Sequence, residues 1–241
     1  MSKDTLFKTS DSGPFEFNES VAEVFPDMLK RSIPGYGASI QAIGSLAARF
    51  VQPATRCYDL GCSLGAASIA MRRNIAAQGC RIVAVDNATA MVTRCRELIA
   101  ADSRKGLAEV SVIEADIQNI EIAQASMVVM NYTLQFLPVD ARAAMIRKIS
   151  DGMVEGGLFV LSEKVVDEDS RIEGALVELH HEFKRRNAYS NLEISRKRAA
   201  LENVLQPETV ATHESRLRDA GFRHVGVWLR YFNFVSMIAI R

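Results

Sequence analysis

Nine residues constrain this chain more than any others: Cys57-Tyr58-Asp59-Leu60-Gly61-Cys62-Ser63-Leu64-Gly65. They read as a short apolar strand that runs into a loop of small residues. The stretch Ala66 to Ala77 follows with a helical pattern, so the loop lies where a first parallel strand hands over to a first helix. Gly61 and Gly65 let the backbone turn tightly and approach a ligand, and the helix N-terminus offers free N–H groups. Arg81-Ile82-Val83-Ala84-Val85-Asp86 then reads as a second buried strand ending in an acid. A carboxylate at that distance can take ribose hydroxyls, and the two signals together point to a nucleotide site. An ordinary βαβ unit with Asp59 and Asp86 as turn and cap residues remains the alternative.

The rest of the chain extends this alternation. Strands are expected at Arg56–Leu60, Arg81–Val85, Glu109–Glu114, Ala125–Met130 and Leu158–Glu163, with helices at Ala66–Ala77, about Ala90–Ala100 and Asp140–Met153. The fourth strand is nearly continuous apolar, as for a strand covered on both faces. Val225–Tyr231 and Phe234–Ile240 are so close that they should form an antiparallel hairpin, after a helix over Glu208–Ala220. Residues 1–50 read as an N-terminal arm and lid helices. The helix there is expected to be short or kinked at Pro26, and Tyr36 follows a Pro-Gly turn. Residues 51–241 read as the nucleotide-binding domain, with a helical insertion over about 167–205. The basic runs Lys184-Arg185-Arg186 and Arg196-Lys197-Arg198 read as a mostly solvated face, and His180-His181 as structural.

Composition narrows the function classes. The chain has 241 residues with 29 basic and 29 acidic side chains, so it has no excess charge for coating nucleic acid or anionic membrane. Non-specific nucleic-acid binding is therefore not expected. No apolar run is long enough for a membrane span and no apolar segment opens the chain, which points to a soluble, cytoplasmic protein. Cys57, Cys62, Cys80 and Cys95 form no C-x-x-C pair, and no histidine spacing suggests a metal site.

The loop does not read G-x-G-x-x-G, because Ser63 stands at the middle glycine. It resembles instead the Asp-x-Gly-x-Gly-x-Gly loop of class I S-adenosyl-L-methionine methyltransferases, and Asp116-Ile117 and Asn131 fall where that family meets adenine and sulfonium. The resemblance implies a Rossmann-like α/β fold: a mostly parallel seven-stranded sheet with one antiparallel strand, an N-terminal helical arm and a helical insertion before the last helix. A longer likeness is to the carboxy-S-adenosyl-L-methionine synthase family. It is carried by Val21–Met28, Pro34-Gly35-Tyr36, Tyr58–Ala66, Thr133–Leu137, Leu161-Ser162-Glu163-Lys164, Leu192–Ser195 and Lys197-Arg198 through Leu201–Val204.

That resemblance implies an enzyme taking S-adenosyl-L-methionine and prephenate to carboxy-S-adenosyl-L-methionine and phenylpyruvate, without a metal. A tRNA carboxymethyltransferase would use the product at the wobble uridine. It implies a homodimer, and a cofactor site of Tyr36, Gly61, Cys62, Ser63, Asp86, Asn87, Asp116, Ile117, Asn131 and Arg198, with catalytic roles for Arg198 and Tyr36. Arg198 is expected to clamp the new carboxylate. An ordinary methyltransferase acting on a small acid or RNA, or a non-catalytic partner that binds S-adenosyl-L-methionine, are the alternatives.

Overall fold

The computed structural model describes residues 2–9, 15–102, 106–201 and 204–241. Glu202 and Asn203 of the last resembling run, and part of the N-terminal arm, lie outside the described residues. In chain order the elements are α1 (Leu6–Thr9), α2 (Glu19–Ser32), α3 (Tyr36–Phe50), β1 (Arg56–Leu60), α4 (Ala66–Asn74), β2 (Arg81–Asp86), α5 (Thr89–Ala101), β3 (Glu109–Glu114), β4 (Ala125–Asn131) and α6 (Val139–Gly152). They continue with β5 (Met153–Val166), α7 (Ser170–Arg186), α8 (Asn191–Leu201), β6 (Glu208–Thr209), α9 (Val210–Asp219), β7 (His224–Tyr231) and β8 (Phe234–Ile240).

The strands order as β3-β2-β1-β4-β5-β8-β7. Pairings among β1 to β5 are parallel, while β8 runs antiparallel to both β5 and β7. A single strand is thus reversed within the main sheet. Because the chain starts at β1, moves out to β3 and returns to β4, a crevice opens at the carboxyl ends of β1 and β4.

Alternation along β4 divides the core. Met127 and Val129 join Cys57, Ile82, Leu158 and Val160 under Ile43 and Ala47 of α3 and Met71 of α4. Val128 and Met130 face the other way, with Tyr58, Phe159 and Leu161, toward Met145, Ile146 and Ile149 of α6 and Leu217 of α9. Both faces of the central strands are covered, which is why they read as continuous apolar runs.

Three expectations need correction. The helix α2, capped by Asn18 Oδ1 accepting from Val21 N at 3.1 Å, runs for 14 residues with Pro26 inside it, so it is not short. Val21, Ala22, Val24, Phe25 and Met28 are all buried in one cluster with Leu64 and Met91, and that packing offsets the cost of an interior proline, about 3 kcal/mol for its missing N–H and ring clash together. The segment expected to open a helix at Glu208 first forms β6, a two-residue parallel partner of Val165 and Val166 in β5. Strand β5 itself begins at Met153 rather than Leu158, its register shifting against β4 between Ala125 and Met127.

The arm and the insertion hold each other over the crevice. Arg31 of α2 is buried and donates to Asn187 O, Ala188 O and Asp4 O, while its guanidinium lies 3.9 Å from the Tyr189 ring centroid. Tyr189 Oη donates to Asp4 Oδ2. A guanidinium can tie three segments together because its five donors are fixed in one plane.

Candidate active site

The crevice widens into a cavity of about 740 Å³. All ten residues singled out in the sequence line it: Tyr36, Gly61, Cys62, Ser63, Asp86, Asn87, Asp116, Ile117, Asn131 and Arg198. They come from separate places in the chain, namely α3, the β1–α4 loop, the end of β2, the turn after β3, the end of β4 and α8, with Asn87 just beyond its strand.

The β1–α4 loop is built by backbone bonds. Gly61 N and Cys62 N both donate to Val85 O, at 2.8 and 2.9 Å, and Gly65 N donates to Cys62 O at 2.7 Å. Gly61 has φ +77°, and a Cβ there would lie 2.3 Å from Thr133 Cγ2. Ser63 shares the left-handed region at φ 46°. Asp86 accepts from Ser63 N at 2.8 Å and Ala88 N at 3.0 Å, so its carboxylate is fixed at the cavity wall. Burial raises its pKa, while these amides oppose the rise. Asp59 is engaged elsewhere: it accepts from Ser68 N at 2.9 Å and Ser68 Oγ at 2.6 Å, and burial pushes it up to about 6.

This end of the cavity is rich in acceptors. Asp116 caps a short 3-10 helix, Ile117–Asn119, by accepting from Gln118 N. Asn131 Oδ1 is a buried acceptor without a partner among the described residues. Such a set suits a ligand carrying an ammonium, hydroxyls and a sulfonium. Burial raises the pKa of both Tyr36 and Tyr132, keeping their hydroxyls protonated as donors.

The loop after β4 is held by residues that sequence reasoning passed over. Tyr132, at φ 64°, donates its N–H to Ser162 O at 2.8 Å. Glu163 Oε1 accepts from Leu134 N at 3.0 Å, and burial pushes this carboxyl up to about 8. The fully buried guanidinium of Arg142 donates to Leu137 O and Gln135 O and pairs with Glu208 at 2.6 Å. Charged residues at helix and strand positions carry no sequence signal of burial, so only the packed fold reveals this network.

The insertion end is basic. Lys184 and Lys197, read from sequence as a solvated face, are buried and line the cavity with Lys164 and with Arg198 at its exposed rim. The correction has a simple cause: α7 and α8 pack against α2 and α1, turning these side chains inward. His180 stands within 2.8 Å of Ser32 O, and its ring meets Phe234 edge-on at 4.8 Å. Burial drives its pKa down to about 2, so the ring is neutral. Among the described residues no group of three or more His, Cys, Asp or Glu side chains could hold a metal ion, and no helix is long and apolar enough to cross a membrane.

Residues 58–157 match the family model described as a methyltransferase domain. In fold, the chain is similar to an O-methyltransferase family protein from Burkholderia thailandensis, with TM-score 0.65 and 17% identity over 98% of this chain and 66% of that one. It is also similar to human N-acetylserotonin methyltransferase in complex with S-adenosyl-L-methionine, with TM-score 0.61 and 17% identity over 91% of this chain and 54% of that one. Much nearer in sequence are carboxy-S-adenosyl-L-methionine synthases. The one from Cronobacter sakazakii is 54% identical over 99% of this chain and 97% of its own. Those from Vibrio cholerae are 52% identical over the same shares. This is an S-adenosyl-L-methionine-dependent enzyme of the class I methyltransferase fold, and the chain belongs to the carboxy-S-adenosyl-L-methionine synthase family.

Proposed function

We propose that the enzyme joins the methyl carbon of S-adenosyl-L-methionine to the CO2 released by prephenate, yielding carboxy-S-adenosyl-L-methionine and phenylpyruvate. One carbon–carbon bond of prephenate breaks and one forms at the methyl carbon. The prephenate ring hydroxyl departs with the methyl proton as water, so atoms and charge balance. Asp86 would take the ribose hydroxyls, Asp116 and Ile117 the adenine, Asn131 would face the sulfonium, and the Gly61–Ser63 loop would take the amino-acid end. The bound sulfonium supplies an acidified methyl group.

The observation that carries this reading is that Lys164, Lys184, Lys197 and Arg198 share one cavity with Asp86 and Asn131. Cations facing a sulfonium repel it, at about 1 to 4 kcal/mol per pair at 4 Å depending on screening. Their presence makes sense when an anion lies between, and prephenate carries two carboxylates. Arg198 would hold the carboxylate transferred to the product, and Tyr36 would close the cavity beside it. The product would serve a tRNA carboxymethyltransferase at the wobble uridine, and the enzyme would act in the cytoplasm as a homodimer without touching tRNA itself.

The test is incubation of the purified enzyme with S-adenosyl-L-methionine, with and without prephenate, followed by mass spectrometry. A nucleoside product heavier by one CO2, dependent on prephenate and lost in Arg198→Ala, is expected. Methyl transfer to an acceptor without any need for prephenate would contradict the proposal.

A further inference from the structure

The basic end of the cavity contains more positive charge than the transferred carboxylate requires. Lys197 is accounted for, since its Nζ donates to Ser32 Oγ at 2.9 Å and lies 5.5 Å from the Tyr189 ring centroid. Arg198, at the rim, is placed on the new carboxylate by the function above. Lys184 is left over. It is only 9% exposed, and among the described residues no acceptor or carboxylate pairs with it. The charges that act on it, Lys197, Lys164 and Arg198, are all positive, and with burial they depress its pKa to about 7. An ammonium buried among cations is unfavourable unless a ligand brings the counter-charge.

A second, independent observation comes from Asn233, in the turn between β7 and β8. It is 1% exposed and lines the same cavity, yet neither Oδ1 nor Nδ2 has a hydrogen-bond partner among the described residues. Its backbone is fixed, because Asn233 O accepts from Val165 N at 2.8 Å and Phe232 before it has φ 55°. A buried amide held at a cavity wall with nothing to bond is costly in the empty protein.

The topology brings these groups to one spot. Lys164 pairs in register with Phe234, the neighbour of Asn233. The His180 ring lies edge-on against Phe234, and Lys184 stands one helical turn beyond His180 on α7. His180 cannot compete for an anion, because its buried ring is neutral and its Nε2 is spent on Ser32 O.

We propose that Lys184, Lys164 and Asn233 form a second carboxylate subsite, separate from Arg198, which holds the side-chain carboxylate of the co-substrate that survives into the keto-acid product. Lys184 supplies an ammonium with no carboxylate beside it, Lys164 a second one that Glu173 of the same cavity wall offsets in part, and the fixed amide a directional donor. With one carboxylate held here, the other is left to face the methyl group. This inference rests on the proposed function in requiring an anionic co-substrate with a carboxylate that is not transferred.

The test measures binding of phenylpyruvate, and separately of prephenate, to enzyme saturated with S-adenosyl-L-homocysteine. Lys184→Met and Asn233→Leu are compared with wild type and with Arg186→Gln, an exposed control on the same basic run. Loss of charge-assisted contacts should weaken phenylpyruvate roughly ten- to a hundredfold in the first two, with binding of the nucleoside and the control unchanged. Lys184→Met should also keep or raise Tm, whereas a purely structural lysine would lower it when replaced. Phenylpyruvate binding that is equal in all four proteins, or absent from wild type, overturns the subsite. If wild type binds phenylpyruvate through these residues but forms no carboxylated product, the subsite stands and the proposed reaction fails. Carboxylated product formed with wild-type KM for prephenate in both variants leaves the reaction standing and overturns the subsite.

Discussion

Ser63 donates its backbone N–H to the Asp86 carboxylate at 2.8 Å, which ties the loop after β1 to the end of β2. The same carboxylate accepts from Ala88 N, so one side chain shapes the turns after two neighbouring strands, β1 and β2. Asp86→Ala removes the acceptor for two backbone amides and an acceptor from the cavity wall. It should cost about 1–3 kcal/mol of stability and weaken S-adenosyl-L-methionine binding roughly tenfold or more, read by denaturant titration and calorimetry. Unchanged affinity would show that the loop holds its shape without this carboxylate.

Gly61 and Thr133 set the width of the crevice between β1 and β4. A Cβ at Gly61 would meet Thr133 Cγ2 at 2.3 Å and Oγ1 at 2.4 Å, on a backbone at φ +77°. Gly61→Ala should destabilise by about 1–3 kcal/mol, lowering Tm by roughly 2–10 °C. Adding Thr133→Ala removes the contacts at 2.3 and 2.4 Å but keeps Thr133 Cβ at 2.9 Å, so it should recover most of the steric part and none of the backbone part, placing the double mutant between the single Gly61→Ala protein and wild type. Simple additivity of the two changes would rule out the contact.

Glu163 makes stability fall with rising pH. Burial raises its folded-state pKa to about 8 from an ordinary value of 4.5, against the attraction of Arg142. Below the ordinary value the carboxyl is neutral in both states and its contribution is fully present. As pH climbs toward 8 only the unfolded chain releases the proton, so the contribution is progressively lost. Glu163→Gln should therefore gain in Tm relative to wild type between about pH 5 and 8. A Tm difference independent of pH would refute the neutral buried carboxyl.

Arg142 and Glu208 brace the loop after β4 from beneath. Arg142→Met removes two donors from the Leu137 and Gln135 carbonyls and leaves Glu208 with Arg216 as its remaining partner at 2.6 Å. Loss of one member of a buried ion pair costs about 3–5 kcal/mol, so chemical denaturation should reveal a deficit of that order. A deficit below about 1 kcal/mol would place the pair among weak surface bridges.

What could be read from the sequence followed the residues that repeat a pattern. The apolar runs of β1, β2 and β4 and the acid at Asp86 located the crevice, because a doubly covered parallel strand must be continuously apolar. Roles at Asn87 and Arg198 came from resemblance alone, that of Tyr36 also from its turn after the first helix, and the structure brings all three to the cavity wall. Lys184, Lys197, Arg142, Glu163 and Asn233 were not legible. Their burial depends on segments far away in the chain, as when α2 covers α7, and a charged residue on a helix looks the same whether it meets water or a cavity. Pro26 misled as to helix length for a related reason, since local propensity was overridden by tertiary packing.

A carboxylated nucleoside product is tested by the exact mass of the small molecule released by mild denaturation of the purified enzyme after incubation with S-adenosyl-L-methionine and prephenate. The expected species is heavier than S-adenosyl-L-methionine by one CO2 and is replaced by the parent mass in Arg198→Ala. Recovery of only S-adenosyl-L-methionine or its demethylated form from the wild-type protein would contradict it.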